Sequence, residues 1–415
     1  MKKLFITILF ASLLCPDLFA QSGWVRQSSA TNLTLYDIQF FNSNTGYAAG
    51  ANTDTTQGVF LKTTDGGNTW VSQSVSMGVS CIFFTDANTG FIGGRKSDFV
   101  MRTSNGGVNW VQQQIPQGFV IPSTANDIYF RNSNTGFIAT INAMYSTTNS
   151  GTNWSVASSL NQPYFEYFYF SNPNTGFLMG AECIKTTNGG ANWNQISYAS
   201  FSYEMSGYDD NNLMIVATGT AYFISTSGGM DWGEDPLFIK GAWKDTSFNS
   251  CKFFGPHNAI IIGGGGKIYK TTSSIVSWTI QPSGVGSTLY RLNFINSNTG
   301  WIAGANGVIL KTTTGGTVGF TQISTELPEK YLLKQNHPNP FNPATKISFS
   351  IPEFSFVNLT VHDVNGREAA SLLNEKMNAG NYEVNFDAAH LPGGIYFYKL
   401  QTEEFSETKK MILIK

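Results

Sequence analysis

Five side chains recur at one repeated position of this chain and are of types that do ionic or acid–base chemistry: Asp37, Asp127, Tyr167, Glu204 and Arg291. Each lies nine residues before a recurring turn glycine or its replacement, and Cys81 and Ser250 fill the same place in the two remaining repeats. The positions eight and six before that glycine are apolar, as in Ile38/Phe40, Ile82/Phe84 and Ile128/Phe130. Strand alternation therefore turns the ninth side chain to the opposite face. Brought together, three carboxyls, a phenol and a guanidinium would bind a polar ligand. Two acids can also divide acid and base roles in a hydrolysis, and Asp37 with Asp127 is the pair that this chemistry would use. A second, basic set (Lys62, Arg102, Lys185, Lys270 and Lys311) precedes a Thr-Thr pair in five repeats. These are expected to be solvated side chains beside hairpins, with binding of an anion or a glycan as the alternative.

The elements that position these residues repeat. Asn-Thr-Gly-aromatic stands at Asn44-Thr45-Gly46-Tyr47, at 88–91, 134–137 and 174–177, and at Asn298-Thr299-Gly300-Trp301, with weaker copies near Asn212 and Asn258. A turn of the form Thr-Thr-x-Gly-Gly-x-x-Trp follows each, as at Thr63 to Trp70. The spacing of 37–46 residues, with strand-like contents, is that of a β-propeller blade. In the first repeat, residues 35–41, 47–50, 59–63 and 69–73 read as four antiparallel strands. Trp70, Trp110, Trp154, Trp193, Trp232 and Trp278, with Phe320 in the seventh repeat, are expected to pack into the blades. The fold class expected is all-β, a seven-bladed β-propeller over 21–324. An open ring would leave a bare sheet edge. Gly23-Trp24-Val25-Arg26-Gln27 imitates a fourth strand and is expected to close the last blade; residues 319–323 compete for that place.

Composition limits the function classes. Charged residues are 13% of the chain and the formal net charge is −2, so nucleic acid and anionic membranes are not expected partners. Residues 1–20 have the basic start, apolar run and small-residue end of a signal peptide, with cleavage expected after Ala20. No later stretch is long and apolar enough for a transmembrane helix. Cys81, Cys183 and Cys251 lack metal-ligand spacing and read as buried thiols. No cofactor or metal site is expected, and no Ser-His-Asp set or phosphate loop stands out. His257, His337, His362 and His390 read as turn or surface residues.

The composition changes near residue 325. Residues 325–415 hold 20 charged residues against 29 in 21–324, which marks a second module after a linker over 325–335. Short alternating runs at 346–351, 357–364, 382–386, 394–401 and 408–414 suggest an immunoglobulin-like β-sandwich over 336–415.

Two families are resembled. Asn339-Pro340-Phe341-Asn342-Pro343, Leu391-Pro392-Gly393-Gly394-Ile395-Tyr396 and the ending Lys410-Met411-Ile412-Leu413-Ile414-Lys415 resemble the C-terminal sorting domain of the type IX (Por) secretion system. That resemblance implies a sorting signal at Gly394, Tyr396, Lys410 and Lys415, the type IX machinery as a partner, and a secreted or outer-surface location after Sec export to the periplasm. The run Lys62-Thr63-Thr64-Asp65-Gly66-Gly67-Asn68-Thr69-Trp70 is similar to the repeats of photosystem II assembly/stability factor-like propellers, and its turn resembles the Asp-box of bacterial neuraminidases. Neuraminidase chemistry uses three arginines, and Arg291 is the single arginine at the ring position. The expected function is an exported binding or scaffolding propeller for a glycan or protein ligand, without enzymatic activity; the alternative is a secreted glycan-active hydrolase at the channel mouth.

Overall fold

The computed structural model describes residues 23–95, 97, 99–116, 124–141, 143–158, 165–197, 202–217, 221–232, 237–238, 247–274, 277–316, 320–324, 326–388 and 391–415. The expected signal peptide and His390 lie outside the described residues. The chain divides into two units, Ser22–Thr317 and a C-terminal unit beginning at Val318.

The first unit holds seven four-stranded antiparallel sheets among the described residues. Blade 1 is Thr34–Phe40, Gly46–Ala51, Gly58–Thr63 and Val71–Val75. Blades 2 to 6 repeat this order, their first strands being Val79–Phe84, Ala125–Phe130, Phe165–Phe170, Ser202–Gly207 and Phe248–Gly255. Blade 7 runs Leu289–Phe294, Gly300–Gly304 and Ile309–Gly316, and its outermost strand is Gly23–Gln27 from the other end of the chain. The N-terminal strand thus closes the ring, pairing Val25 with Lys311 and Gln27 with Ile309. Trp24 takes the place expected of Phe320: it is buried, and its indole N–H donates to Gln281 Oε1 at 2.9 Å.

Two turns recur from blade to blade with the same letters for the same reason, except in blade 6, where Pro256-His257 alone joins the first two strands. The Asn42 carboxamide oxygen accepts from the backbone N–H groups of Asn44 and Thr45, both at 2.8 Å, an Asx turn. In the second turn Asp65 accepts from Thr63 Oγ1 and from Thr69 N, and Gly67 N donates to Thr63 Oγ1. Gly66 and Gly67 there have φ of +72° and +91°, a conformation that penalises any side chain. The turns dock on each other, Gly66 N donating to Asn44 O at 2.8 Å. With strand order 1-2-3-4, both turns lie at one end of the ring.

Aromatic stacking joins the blades. Tyr47 of blade 1 stacks on Phe84 of blade 2 with centroids 3.7 Å apart, and Trp301 of blade 7 stacks on Phe40 of blade 1 at 3.5 Å. The second strand's glycine makes room: a Cβ on Gly46 would meet the Phe40 ring at 2.4 Å. Phe40 also receives the edge of Trp70. The tryptophans are therefore core wedges.

The C-terminal unit contains two four-stranded antiparallel sheets that draw on one hydrophobic core, including Ile347, Phe349, Leu359, Val384 and Tyr398. It begins earlier than the composition change indicates. Phe320–Ser324 pairs with Gly380–Asp387 rather than with any blade, so the competitor for ring closure is a sheet edge of the C-terminal unit. The expected propeller boundary at 324 therefore shifts to 317, and the expected linker 325–335 contains a short strand, Leu332–Leu333. The sequence pattern also misses Glu368–Met377. Its partner register shifts between Leu359 and Thr360 and between Val361 and His362, which buries the neighbouring pairs Ala369/Ala370 and Leu372/Leu373 and erases the alternation.

Because the closing strand brings one buried indole, Trp24→Ala is expected to lower the unfolding free energy by about 3–5 kcal/mol. Deleting residues 23–27 should in addition cause self-association through the bared Ile309–Gly316 edge. Thermal unfolding and light scattering check both; an unchanged melting temperature for Trp24→Ala would contradict this closure.

Candidate functional site

Every first strand carries a bulge, and it aims the residue that follows. The register slips between Leu35 and Asp37, Val79 and Cys81, Ala125 and Asp127, Phe165 and Tyr167, Ser202 and Glu204, Phe248 and Ser250, and Leu289 and Arg291. A bulge locally bends the strand and redirects its side chain.

Arg291, from blade 7, reaches across the ring. Its Nη1 donates to Glu204 Oε2 of blade 5 at 2.8 Å, and its Nε stands 3.2 Å from Asp37 Oδ1 of blade 1, an ion-pair distance. Its guanidinium carbon lies 4.5 Å from the centre of the Tyr167 ring of blade 4. Of the five residues singled out from the sequence, Arg291 therefore meets three others. Among the described residues Asp127 of blade 3 has no ion-pair partner, yet it feels the charges of Arg291 and Asp37.

The three carboxyls are buried rather than set at an open mouth, while Tyr167 and Arg291 are partly exposed. Asp37, Asp127 and Glu204 are 7%, 6% and 3% exposed. The oxygens of the two aspartates are engaged with backbone, while Glu204 is held by the Arg291 and Ser250 side chains. Asp37 Oδ1 accepts from Ile38 N, and Oδ2 accepts from Ile82 N of blade 2, both at 2.8 Å. Asp127 bonds in the same way to Ile128 N and to Phe168 N of blade 4. Ser250 Oγ accepts from Leu292 N of blade 7 at 3.1 Å. The repeated position is thus a clasp from one blade to the next backbone. A parallel row lies two residues on, where Gln39, Ser206 and Asn293 accept from Phe84 N, Phe253 N and Phe40 N.

One guanidinium serves three buried carboxyls, and desolvation dominates their protonation. Burial raises Asp127 to about 8, with Arg291 opposing and Asp37 adding to the rise. Burial raises Glu204 to about 7, against Arg291 and a Ser250 hydrogen bond. Asp37 is raised too, burial outweighing Arg291 and the Ile82 and Ile38 N–H groups. Burial likewise lifts the Tyr167 hydroxyl well above its usual range. For Arg291 burial pulls down, but Glu204 and Asp37 outweigh it and the guanidinium stays charged. A buried acid and a charged base in contact form a brace.

The basic set is not solvated as expected. Lys62 Nζ donates to Gly106 O at 3.2 Å, Lys185 Nζ to Gly228 O at 2.9 Å, Lys270 Nζ to Gly315 O at 2.7 Å and Arg102 Nε to Ser150 O at 3.0 Å. Each acceptor lies in the glycine turn of the next blade. The cations also cover aromatic faces, Lys185 over Phe177 and Lys311 over Trp301. Backbone carbonyls 43–48 residues away along the chain gave no sequence signal. Cys81, Cys183 and Cys251 are free and buried. Among the described residues no group of three His, Cys, Asp or Glu side chains is placed to hold a metal, and no helix is long and apolar enough to cross a membrane.

In the C-terminal unit Gly394, Tyr396 and Lys410 fall on two paired strands, Gly394–Gln401 and Ser406–Leu413, and Lys415 lies two residues past the second. Tyr396 is buried and its hydroxyl donates to Pro392 O at 2.8 Å, while Gly394, Lys410 and Lys415 are exposed. The Asn-Pro-Phe-Asn-Pro run covers the edge of the terminal strand. Phe341 N donates to Ile412 O, Ile414 N donates to Phe341 O, and Asn339 Oδ1 accepts from Ile412 N.

Comparison with known proteins agrees with this geometry. The family model described as photosynthesis system II assembly factor YCF48 matches residues 17–161, and the one described as secretion system C-terminal sorting domain matches residues 336–415. The chain joins photosystem II assembly factor-like propeller repeats to a Por-type sorting domain. Among solved structures, "YCF48 bound to D1 peptide" aligns with a TM-score of 0.59 at 20% identity, covering 73% of this chain and 100% of that one. YCF48 from Cyanidioschyzon merolae gives 0.56 at 19%, over 70% and 98%. The WD40 propeller domain of Doa1 gives 0.53 at 7%, over 69% and 96%. At these identities the likeness concerns the fold. Among curated proteins nothing matches. The sorting domain indicates type IX secretion and a secreted or surface location.

The raised carboxyls set the sign of the pH dependence. A group whose pKa is higher folded than unfolded stabilises the fold at low pH and loses that contribution as pH rises through the folded value. For Asp127 the window runs from its ordinary value of 3.8 to about 8, and for Glu204 from 4.5 to about 7. The melting temperature should therefore fall between pH 5 and pH 8.5, on the order of the window these values set. Asp127→Asn should flatten the upper part of that fall. Stability rising over this range would contradict a buried, protonated Asp127.

Proposed function

We propose that this protein is an exported binding or scaffolding propeller, carried out by the type IX machinery through its C-terminal domain, which holds a partner at one end of the ring. The observation that carries this is the division of the ring into two ends. At one end the turns repeat: five residues join the first two strands in blades 1 to 5 and 7, and these turns are bonded to each other. At the opposite end the connections vary. Between the last strand of one blade and the first of the next the chain has three residues after Val75, ten after Gln114 and seven after Gln281. Unrepeated connections on a rigid frame are where binding residues concentrate. The relative solved as "YCF48 bound to D1 peptide" supports a protein ligand as the first to try. A hydrolytic Asp37–Asp127 pair has less support, because both acids are bonded to backbone N–H groups.

Two measurements test this reading. In a host with a Por-type secretion system, the full chain should reach the medium or surface, and a chain ending at residue 335 should stay in the periplasm. The exported protein on glycan and peptide arrays should bind without turnover. Glycan hydrolysis abolished by Asp127→Asn would establish the hydrolase instead, and export of the truncated chain would refute the sorting role.

A further inference from the structure

The bulge residue just before the axial position has two uses around the ring. In blades 2, 3 and 6 it clasps the following blade: Ser80 Oγ donates to Ala125 O at 2.6 Å, Asn126 Nδ2 to Phe165 O at 2.6 Å and Asn249 Nδ2 to Leu289 O at 2.8 Å. In blades 7 and 1 the same position holds Tyr290 and Tyr36. Their ring centroids are 5.1 Å apart with planes tilted by 53°. Arg95, from the connection between the second and third strands of blade 2, places its guanidinium carbon 4.5 Å from the centre of the Tyr36 ring. All three side chains are half-buried. They belong to the end of the ring where the connections vary.

Their polar tips are free of the protein. Among the described residues no acceptor takes a hydrogen from either phenol, and no carboxylate pairs with Arg95. The tips are also mutually close: burial raises the Tyr290 hydroxyl, Tyr36 adds to the rise and Arg95 opposes it. The cluster offers two O–H donors and a guanidinium fork, and no anionic acceptor. A sugar hydroxyl would find only the weak phenol oxygens as acceptors here, whereas a carboxylate is met by a charged fork and two O–H donors. All three side chains stay partly exposed, so a small free anion would keep most of its water. A carboxylate on a larger surface gains the rest of its contact from the rim, and tyrosine with arginine is the pairing that dominates such protein interfaces.

We propose that Arg95, Tyr36 and Tyr290 form a receiving site for a carboxylate presented by a protein partner. The buried network sets its spacing. Tyr36 and Tyr290 directly precede Asp37 and Arg291, whose ion pair ties blade 1 to blade 7, and Asp37 also bonds Ile82 N of blade 2, the blade that carries Arg95. This deepens the reading of the propeller as a binding module and rests on it.

The test uses the exported full-length propeller on immobilised acidic peptides, each matched with a version in which Asn and Gln replace Asp and Glu. Binding is expected for acidic peptides and not for their amide versions. Arg95→Ala should weaken it about tenfold, Arg95→Lys should retain part of it, and Tyr36→Phe with Tyr290→Phe should weaken it with an unchanged melting temperature. Equal binding of amide peptides, or acidic-peptide binding indifferent to Arg95 and both tyrosines, would overturn the site while leaving a binding module in place. Acetate displacing the peptides at matched concentration would overturn the protein partner in favour of a free anion.

Discussion

The ring depends on a charge held at its centre. Arg291 is contributed by the last blade and meets acids of the first and the fifth, with the phenol of the fourth beneath it. A buried guanidinium without partners would be untenable, and each buried carboxylate needs a donor. Both demands are met only when blades far apart in sequence are all in place. The backbone N–H groups that complete Asp37 and Asp127 come from the following blades. Satisfying the centre therefore sets blade-to-blade register as well as charge.

Around that centre, three kinds of contact repeat with different chemistry: polar clasps near the axis, stacked aromatics at mid-blade, and cations capping the glycine turns of the neighbouring blade. Each is modest alone, a net hydrogen bond contributing about 0.5–1.5 kcal/mol. Their value lies in recurrence around a closed ring, where loss of one sector leaves two neighbours unpaired. Closure by Gly23–Gln27 ties the N-terminal strand to the last blade, so the ring has no free edge at that seam. The end built from repeated turns is committed to these contacts. Variation is left to the opposite end, and there the Tyr36–Tyr290 pair interrupts the clasp row.

Much of this was legible in the sequence, in uneven ways. The tetrapeptide with Gly46 and its copies marked the first turn because Asx turns and close ring contacts demand particular residues at fixed offsets. The convergence of Asp37, Tyr167, Glu204 and Arg291 followed from alternation and a common offset, but their depth did not. Burial at the axis depends on ring diameter, which no local pattern encodes. Lys62 and its counterparts looked like surface lysines because their acceptors are backbone carbonyls of another blade, carrying no side-chain signature. Gly23–Gln27 and residues 319–323 looked equivalent as closing strands. The indole N–H of Trp24, which finds Gln281, and the pairing of Phe320–Ser324 with Gly380–Asp387 separate them. Arg95 gave no signal, since its partners Tyr36 and Tyr290 meet it only once the ring has closed.

The central claim, that Arg291 couples distant blades through Glu204 and Asp37, is tested most directly by a double-mutant cycle. Unfolding free energies at pH 7.5 would be measured for the parent, Arg291→Met, Glu204→Gln and the double variant. The predicted result is a loss of about 3–5 kcal/mol for Arg291→Met, with a double variant less damaging than the sum of the two singles by on the order of 1–3 kcal/mol. Strict additivity, or an Arg291→Met variant as stable as the parent, would contradict it.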